Sequence, residues 1–229
     1  MQNPATRSSR REYVYIRSIV EKNLTSPLHY ILFHKPYGVL SQFTPEGDRQ
    51  TLKDFGPFPG NVYAAGRLDA DSEGLLLLTN DNSLKHRLTD PKYGHERTYL
   101  VQIERIPDER VLRRLRDGVF VEGRKTAPAG VRLLEEEPDL SPRSTPIRYR
   151  KSVPTAWLEL TLTEGRNRQV RKMTAAIGHP TLRLVRTRIG PLTLERLAPG
   201  EYRWLTKREV SSLQEVVKQK NPGDTGRDR

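Results

Sequence analysis

The order of apolar and polar positions divides the chain into short segments. "YILFHKP" (30–36) reads as a strand ending at Pro36. "NVYAAGRL" (61–68) and "GLLLLTN" (74–80) predict two more strands, separated by an acidic turn. "RTYLVQIE" (97–104) and "TAWLELTLTE" (155–164) alternate with the period of a half-buried strand. "TLRLVRTRIG" (181–190) and "EYRWLT" (201–206) predict further strands. Helical signals fall between these. "DNSLKHRLTDP" (81–91) predicts a short helix stopped by Pro91. "PDERVLRRLRDG" (107–118) has Pro107 at its start, acids in the first turn and Gly118 past its end. "RNRQVRKMTAAIGHP" (166–180) predicts a helix closed by Gly178 and Pro180. Thr206 and Glu209 form a capping-box pair that opens a last helix, "KREVSSLQEVVK" (207–218). Strands and helices mix without strict alternation, which predicts an α+β fold with a largely antiparallel sheet.

Three stretches lack periodicity. Residues 1–27 are polar and basic and predict an N-terminal tail; residues 218–229 predict a C-terminal one. Residues 135–154 carry four prolines and predict a long loop inside a single domain spanning 28–217. There is no internal repeat.

Charge changes the picture most. Forty Lys and Arg against 28 Asp and Glu give a net +12, a field that attracts polyanions, nucleic acid first among them. No apolar run approaches the roughly 18–20 residues that span a bilayer, and no basic amphipathic helix with a bulky aromatic face suggests a membrane surface. Cysteine is absent, which removes disulfides, thiolate zinc sites and thiol nucleophiles and fits a cytoplasmic protein.

Against this basic background, "AAGRLDADSEGLLLLTND" (64–81) is unexpectedly acidic. Asp69, Asp71, Glu73 and Gly74 mimic the start of a calcium loop, but the twelfth position is Asn80 where a bidentate Glu is needed, and the flanks read as strands. Asp71 and Glu73 are expected in a solvated turn whose acids cap backbone donors. Asp69 differs: it follows Gly66, Arg67 and Leu68 out of an apolar strand, where a side chain can be held rigidly. A carboxylate so placed needs a cation or several donors.

The segment "EGRNRQVRKMTAAIGHPTLRLVRTR" (164–188) offers the cations, with seven Lys and Arg against one acid. At about 100° per residue, Arg166, Val170, Met173 and Ile177 share one face, and Arg168, Arg171 and Lys172 share another. The strand that follows adds Arg183, Arg186 and Arg188. So many cations with so few local acids predict a nucleic-acid-contacting face. Tyr99, on "RTYLVQIE", is open to two readings, a core tyrosine or a flat ring on which a base stacks.

Together these motifs resemble pseudouridine synthases of the RsuA type. "HKPYGVLSQF" (34–43) resembles the family's Lys-Pro-x-Gly opening, "GRLD" followed by "SEGLLLLTND" its catalytic motif, "RTYLVQ" its tyrosine motif and "EGRNRQVRKM" its arginine motif. The likeness runs from about residue 29 to 205, with the motifs in the family's order. It implies Asp69 as the catalytic aspartate, Tyr99 as the active-site tyrosine and Arg171 as the aspartate's ionic partner. Arg67, Arg166, Arg168, Lys172, Arg183, Arg186 and Arg188 are then expected on RNA, and Leu68 and Ile189 in the pocket wall. The implied fold is a largely antiparallel mixed sheet flanked by helices, in two subdomains around a central cleft. Many RsuA-type enzymes begin with an S4 RNA-binding module, and residues 1–28 are too short to encode one. The implied substrate is a uridine in large-subunit (23S) ribosomal RNA or a precursor ribosomal particle, handled by a monomer without cofactor or metal. Two routes stay open, attack of the carboxylate on the sugar or proton removal leading to a glycal. The rival readings are a non-enzymatic ribosome assembly factor, which needs no Asp69, and a metal-dependent nuclease using Asp69, Asp71 and Glu73.

Overall fold

The four-leucine run Leu75–Leu78 is the simplest guide to the architecture. In a strand, successive side chains point to opposite faces, so an unbroken apolar run demands cover on both sides. A computed structural model, which describes residues 27–147, 150, 152–195 and 197–219, supplies that cover. Leu75 and Leu77 enter one apolar cluster and Leu76 and Leu78 another on the opposite face.

The strands, in chain order, are β1 (Tyr30–Lys35), β2 (Tyr63–Ala64), β3 (Glu73–Thr79), β4 (Arg97–Glu104), β5 (Phe120–Val121), β6 (Arg124–Lys125), β7 (Gly130–Leu133), β8 (Thr155–Leu162), β9 (Thr181–Ile189), β10 (Leu192–Thr193) and β11 (Tyr202–Trp204). The helices are α1 (Asn82–Thr89), α2 (Glu109–Arg116), α3 (Gln169–Ala176) and α4 (Lys207–Gln219). Seven strands form the main path of one sheet, ordered β11-β1-β3-β9-β4-β8-β7, with β2 joined to β3 and β10 to β9. Strands β5 and β6 form a separate hairpin. Every pairing between these strands is antiparallel except one: β3 and β9 run parallel, with Glu73 opposite Val185 and Gly74 opposite Arg186. The expected α+β class and largely antiparallel sheet are therefore present, and the parallel seam joins two antiparallel halves.

Each half has its own core. On one side of the seam, Val101, Ile103, Leu158, Leu160 and Leu162 pack against α2 through Leu112 and Leu115 and against α3 through Val170 and Met173, with Ile177 just past its end. On the other, Leu32, Leu75, Leu77, Val185 and Ile189 pack against α1 through Leu84 and Leu88 and α4 through Leu213 and Val217. The reverse face of β1 and β3 is covered by Leu52, Val62 and the rings of Phe43, Phe55, Phe58 and Tyr202.

Several boundaries depart from the sequence reading for local reasons. The strand expected over 61–68 shrinks to β2, because Gly66 turns the chain at φ +82°. The helix expected from Pro107 starts at Glu109, because Asp108 is the N-cap and its carboxylate accepts the Val111 N–H. The helix expected over 166–180 occupies only Gln169–Ala176, because Arg168 is in the left-handed region at φ 51°. Thr206 and Glu209 do form the reciprocal capping pair of α4. That helix runs on to Gln219, into the expected C-terminal tail. The rest of that tail, and the N-terminal one up to residue 26, lie outside the described residues. Within 135–154 the described residues carry no helix or strand. None of the described helices is long and apolar enough to cross a membrane.

Candidate active site

The seam between β3 and β9 fixes the site. The acidic turn enters β3, α3 leads into β9, and β4 lies beside β9. Three distant pieces of sequence thus meet at one place. They border a cleft of about 620 Å³ lined by Arg67, Leu68, Asp69, Tyr99, Arg166 and Arg168, with Leu40, Leu162, Val170 and Leu184 as apolar wall.

The backbone around Asp69 is tied down from several directions. Ser41 Oγ donates to the Leu68 carbonyl at 2.8 Å and accepts from the Leu68 N–H at 3.1 Å. The Gly38 N–H donates to Ala70 O at 2.7 Å, and the Ser72 N–H to Asp69 O at 3.0 Å. Beneath this turn lies Lys35, with no exposed surface. Its ammonium donates to the carbonyls of Val39 at 2.7 Å, Pro36 at 2.8 Å and Ala70 at 3.4 Å. Burial pushes the Lys35 ammonium down to about 7, although Glu73, Asp71 and Asp69 pull it upward. The sequence marks Lys35 only as part of the "HKPYGV" stretch; total burial of an amine is a tertiary property.

The partner of Asp69 corrects one expectation. Arg168 Nη1 lies 3.5 Å from Asp69 Oδ2. Arg171, the expected partner, is half-buried behind the turn and reaches Asp71 instead, its Nη2 donating to the Asp71 carbonyl at 2.6 Å and its Nε lying 3.3 Å from Asp71 Oδ2. Arg168 also grips the Asp71 carboxylate with both terminal nitrogens, at 3.0 and 2.7 Å. Burial works to raise the Asp71 carboxyl, but the hydrogen bonds from Arg168 and the charge of Arg171 outweigh it and hold it below the usual carboxylate range. The late start of α3 separates the two arginines. Arg168 precedes the helix with left-handed backbone and so does not share a helical face with Arg171.

Four further expectations, for Glu73, Arg183, Arg186 and Ile189, are also revised. Glu73 is not in a solvated turn. It is 2% exposed and takes Arg183 in a bidentate pair at 3.0 and 2.9 Å. Arg183 is thereby buried, and its Nη2 also donates to Ser141 O at 2.8 Å. Arg186 is buried too, with Nε on the Leu75 carbonyl at 2.8 Å. Neither can meet RNA at the surface; both serve the seam. Lys172 pairs with Glu122 at 2.7 Å, and Arg166 with Glu164 at 3.1 Å. Arg188 is exposed but does not line the cleft. Ile189 belongs to the cluster on the α1 and α4 side, with Val185. The aliphatic wall is Leu184, at opposite parity on β9, and alternation along a strand separates the two.

A model of the RNA pseudouridylate synthase family matches residues 29–176. The chain belongs to that family. Among relatives of this pseudouridylate synthase, the ribosomal large subunit pseudouridine synthase E of Xanthomonas axonopodis pv. citri is 58% identical over 171 residues, covering 74% of this chain and 90% of that one. The ribosomal large subunit pseudouridine synthase B of Bacillus subtilis is 40% identical over 189 residues, covering 82% and 72%. A crystal structure of a pseudouridylate synthase superimposes with a TM-score of 0.68 at 33% identity, covering 82% of this synthase and 74% of that chain. The family match spans the Lys35 stretch, the Asp69 turn, Tyr99 and α3, the pieces that the fold gathers around the cleft.

Proposed function

We propose that this synthase converts a uridine of large-subunit ribosomal RNA to pseudouridine with Asp69 as the catalytic carboxylate, Arg168 as its ionic partner and Tyr99 as the platform for the base. One observation carries the reading: a rigidly framed aspartate and an arginine within 3.5 Å of it share a cleft with a tyrosine ring. The ribosomal substrate is carried by likeness to relatives named for it.

The reaction breaks the bond from uracil N1 to ribose C1′ and makes one from C5 to C1′. The hydrogen on C5 leaves as a proton and N1 ends with one, so composition is unchanged and no redox partner is required. A carboxylate can attack C1′ and hold the sugar as an ester while the base turns, or take the proton at C2′ and generate a glycal. Both need an oxygen with a fixed direction, which the Ser41 and Gly38 bonds around residues 68–70 supply. The apolar wall of Leu162, Val170 and Leu184 excludes water from the base. The uridine must leave its stack to enter, at about a few kcal/mol, offset by contacts of Arg67 and Arg166 with phosphates.

The test is release of tritium from large-subunit ribosomal RNA transcribed with 5-tritiated uridine. The wild-type protein is expected to release it, and Asp69→Asn to release none above background while binding RNA with unchanged affinity. Release by Asp69→Asn at the wild-type rate sinks the proposal.

A further inference from the structure

The turn that carries Asp69 holds a second carboxylate that the reaction above does not use. Asp71 does not line the cleft. Yet it is the better-connected acid of the two. It accepts two hydrogen bonds from Arg168, lies 3.3 Å from Arg171 Nε, and takes Arg171 Nη2 on its backbone oxygen. Asp69 has a single, longer contact with Arg168. Arg168 sits at φ 51° and ψ 34°, a region that disfavours residues with a Cβ. What that backbone turn achieves is the reach of its guanidinium across to residues 69 and 71.

An arginine in a cleft built for RNA has a competitor for its attention. Its planar fork suits phosphate as well as carboxylate, and it is 40% exposed. Its exposure and donor geometry leave Arg168 able to pair with a phosphate as well as with Asp69. We propose that Asp71 is a positioning residue that retains Arg168 against capture by RNA phosphates, keeping its Nη1 edge toward Asp69 throughout the reaction. Arg171 completes the clamp by fixing Asp71 from behind. This inference rests on the reading of Asp69 and Arg168 given above.

The test uses the full chain, the same tritiated transcript and Asp71→Asn, which keeps shape and removes charge. Single-turnover release at saturating protein is expected to fall on the order of 100-fold, as for a misplaced catalytic group. RNA affinity is expected to hold or tighten, and the slope of log K against log [KCl] to steepen by about 0.7–0.9, one added phosphate contact. Asp71→Glu, with its charge restored, should regain at least tenfold of the rate. In an Arg168→Gln background Asp71→Asn should cost less than threefold further, since Asp71 acts through that arginine. All rates are taken below the melting transition of every variant. A rate within threefold of wild type for Asp71→Asn, or full additivity with Arg168→Gln, overturns the inference. Failure of the underlying reading shows elsewhere, as tritium release by Asp69→Asn.

Discussion

At the scale of single residues, burial decides more than position in a motif. Lys35 is a cation with no exposed surface, wrapped by carbonyls below the Asp69 turn. Its folded value of about 7 lies far below the roughly 10.4 of a lysine in an unfolded chain. Between those two values the unfolded state binds the proton and the folded state does not. Stability from this group therefore rises with pH from about 7 to about 10, and its full cost is present below that window. Lys35→Met should lack the rise. Urea denaturation of both proteins at several pH values across the window checks this: a constant difference between them would show that Lys35 keeps an ordinary value. The residues themselves show where sequence reading stops. Asp69 stands out because a strand end is a local property; Tyr99 is singled out only by the family resemblance. The register of the resembling motif points to Arg171 over Arg168, and nothing local announces a left-handed residue at 168.

At the scale of elements, local signals carried well and pairings did not. The alternation of "RTYLVQIE" coincides with β4 end to end, and Thr206 with Glu209 opens α4 as its spacing implies. The hairpin of β5 and β6 and the strands β7 and β10 were not anticipated, since two- to four-residue strands have too few positions to show a period. The parallel pairing of β3 with β9 is also invisible in the sequence, because it joins residues about 110 positions apart. Gly74 is its one local trace. At φ +105° it lets the two backbones approach, and a Cβ there would lie 2.6 Å from Arg186 N. Gly74→Ala should therefore destabilise the protein by about 3 kcal/mol or more through strain and collision with an unyielding strand. A denaturation midpoint unchanged from wild type would show that the seam can widen.

At the scale of the molecule, the excess of +12 is real but is not spread as the sequence suggests. Five of the seven cations in 164–188 meet acids in the fold: Arg166, Arg168, Arg171, Lys172 and Arg183. Four of the five partner acids, Asp69, Asp71, Glu73 and Glu122, lie far from them in sequence, so the segment looks unpaired until it is folded. The arginines divide into two populations with separable effects. Arg67→Gln, at the cleft, should weaken RNA binding and flatten its salt slope by about 0.7–0.9, with little change in stability. Arg183→Gln should leave the slope alone and cost about 3–5 kcal/mol, by stranding buried Glu73. Filter binding across a KCl series with parallel melts distinguishes them; a reduced slope for Arg183→Gln would contradict its assignment to the interior.

The seam also sets a clock on the synthase's own birth. Arg168 lies 97 residues after Asp71, so during translation the aspartate turn leaves the ribosome well before its arginines exist. At about 5–20 residues per second that interval is roughly 5–20 s. A nascent chain in that interval holds Asp69 without Arg168 and without Leu184 of the cleft wall. Newly made protein therefore cannot assemble this cleft until α3 and β9, more than 90 residues further on, have been added.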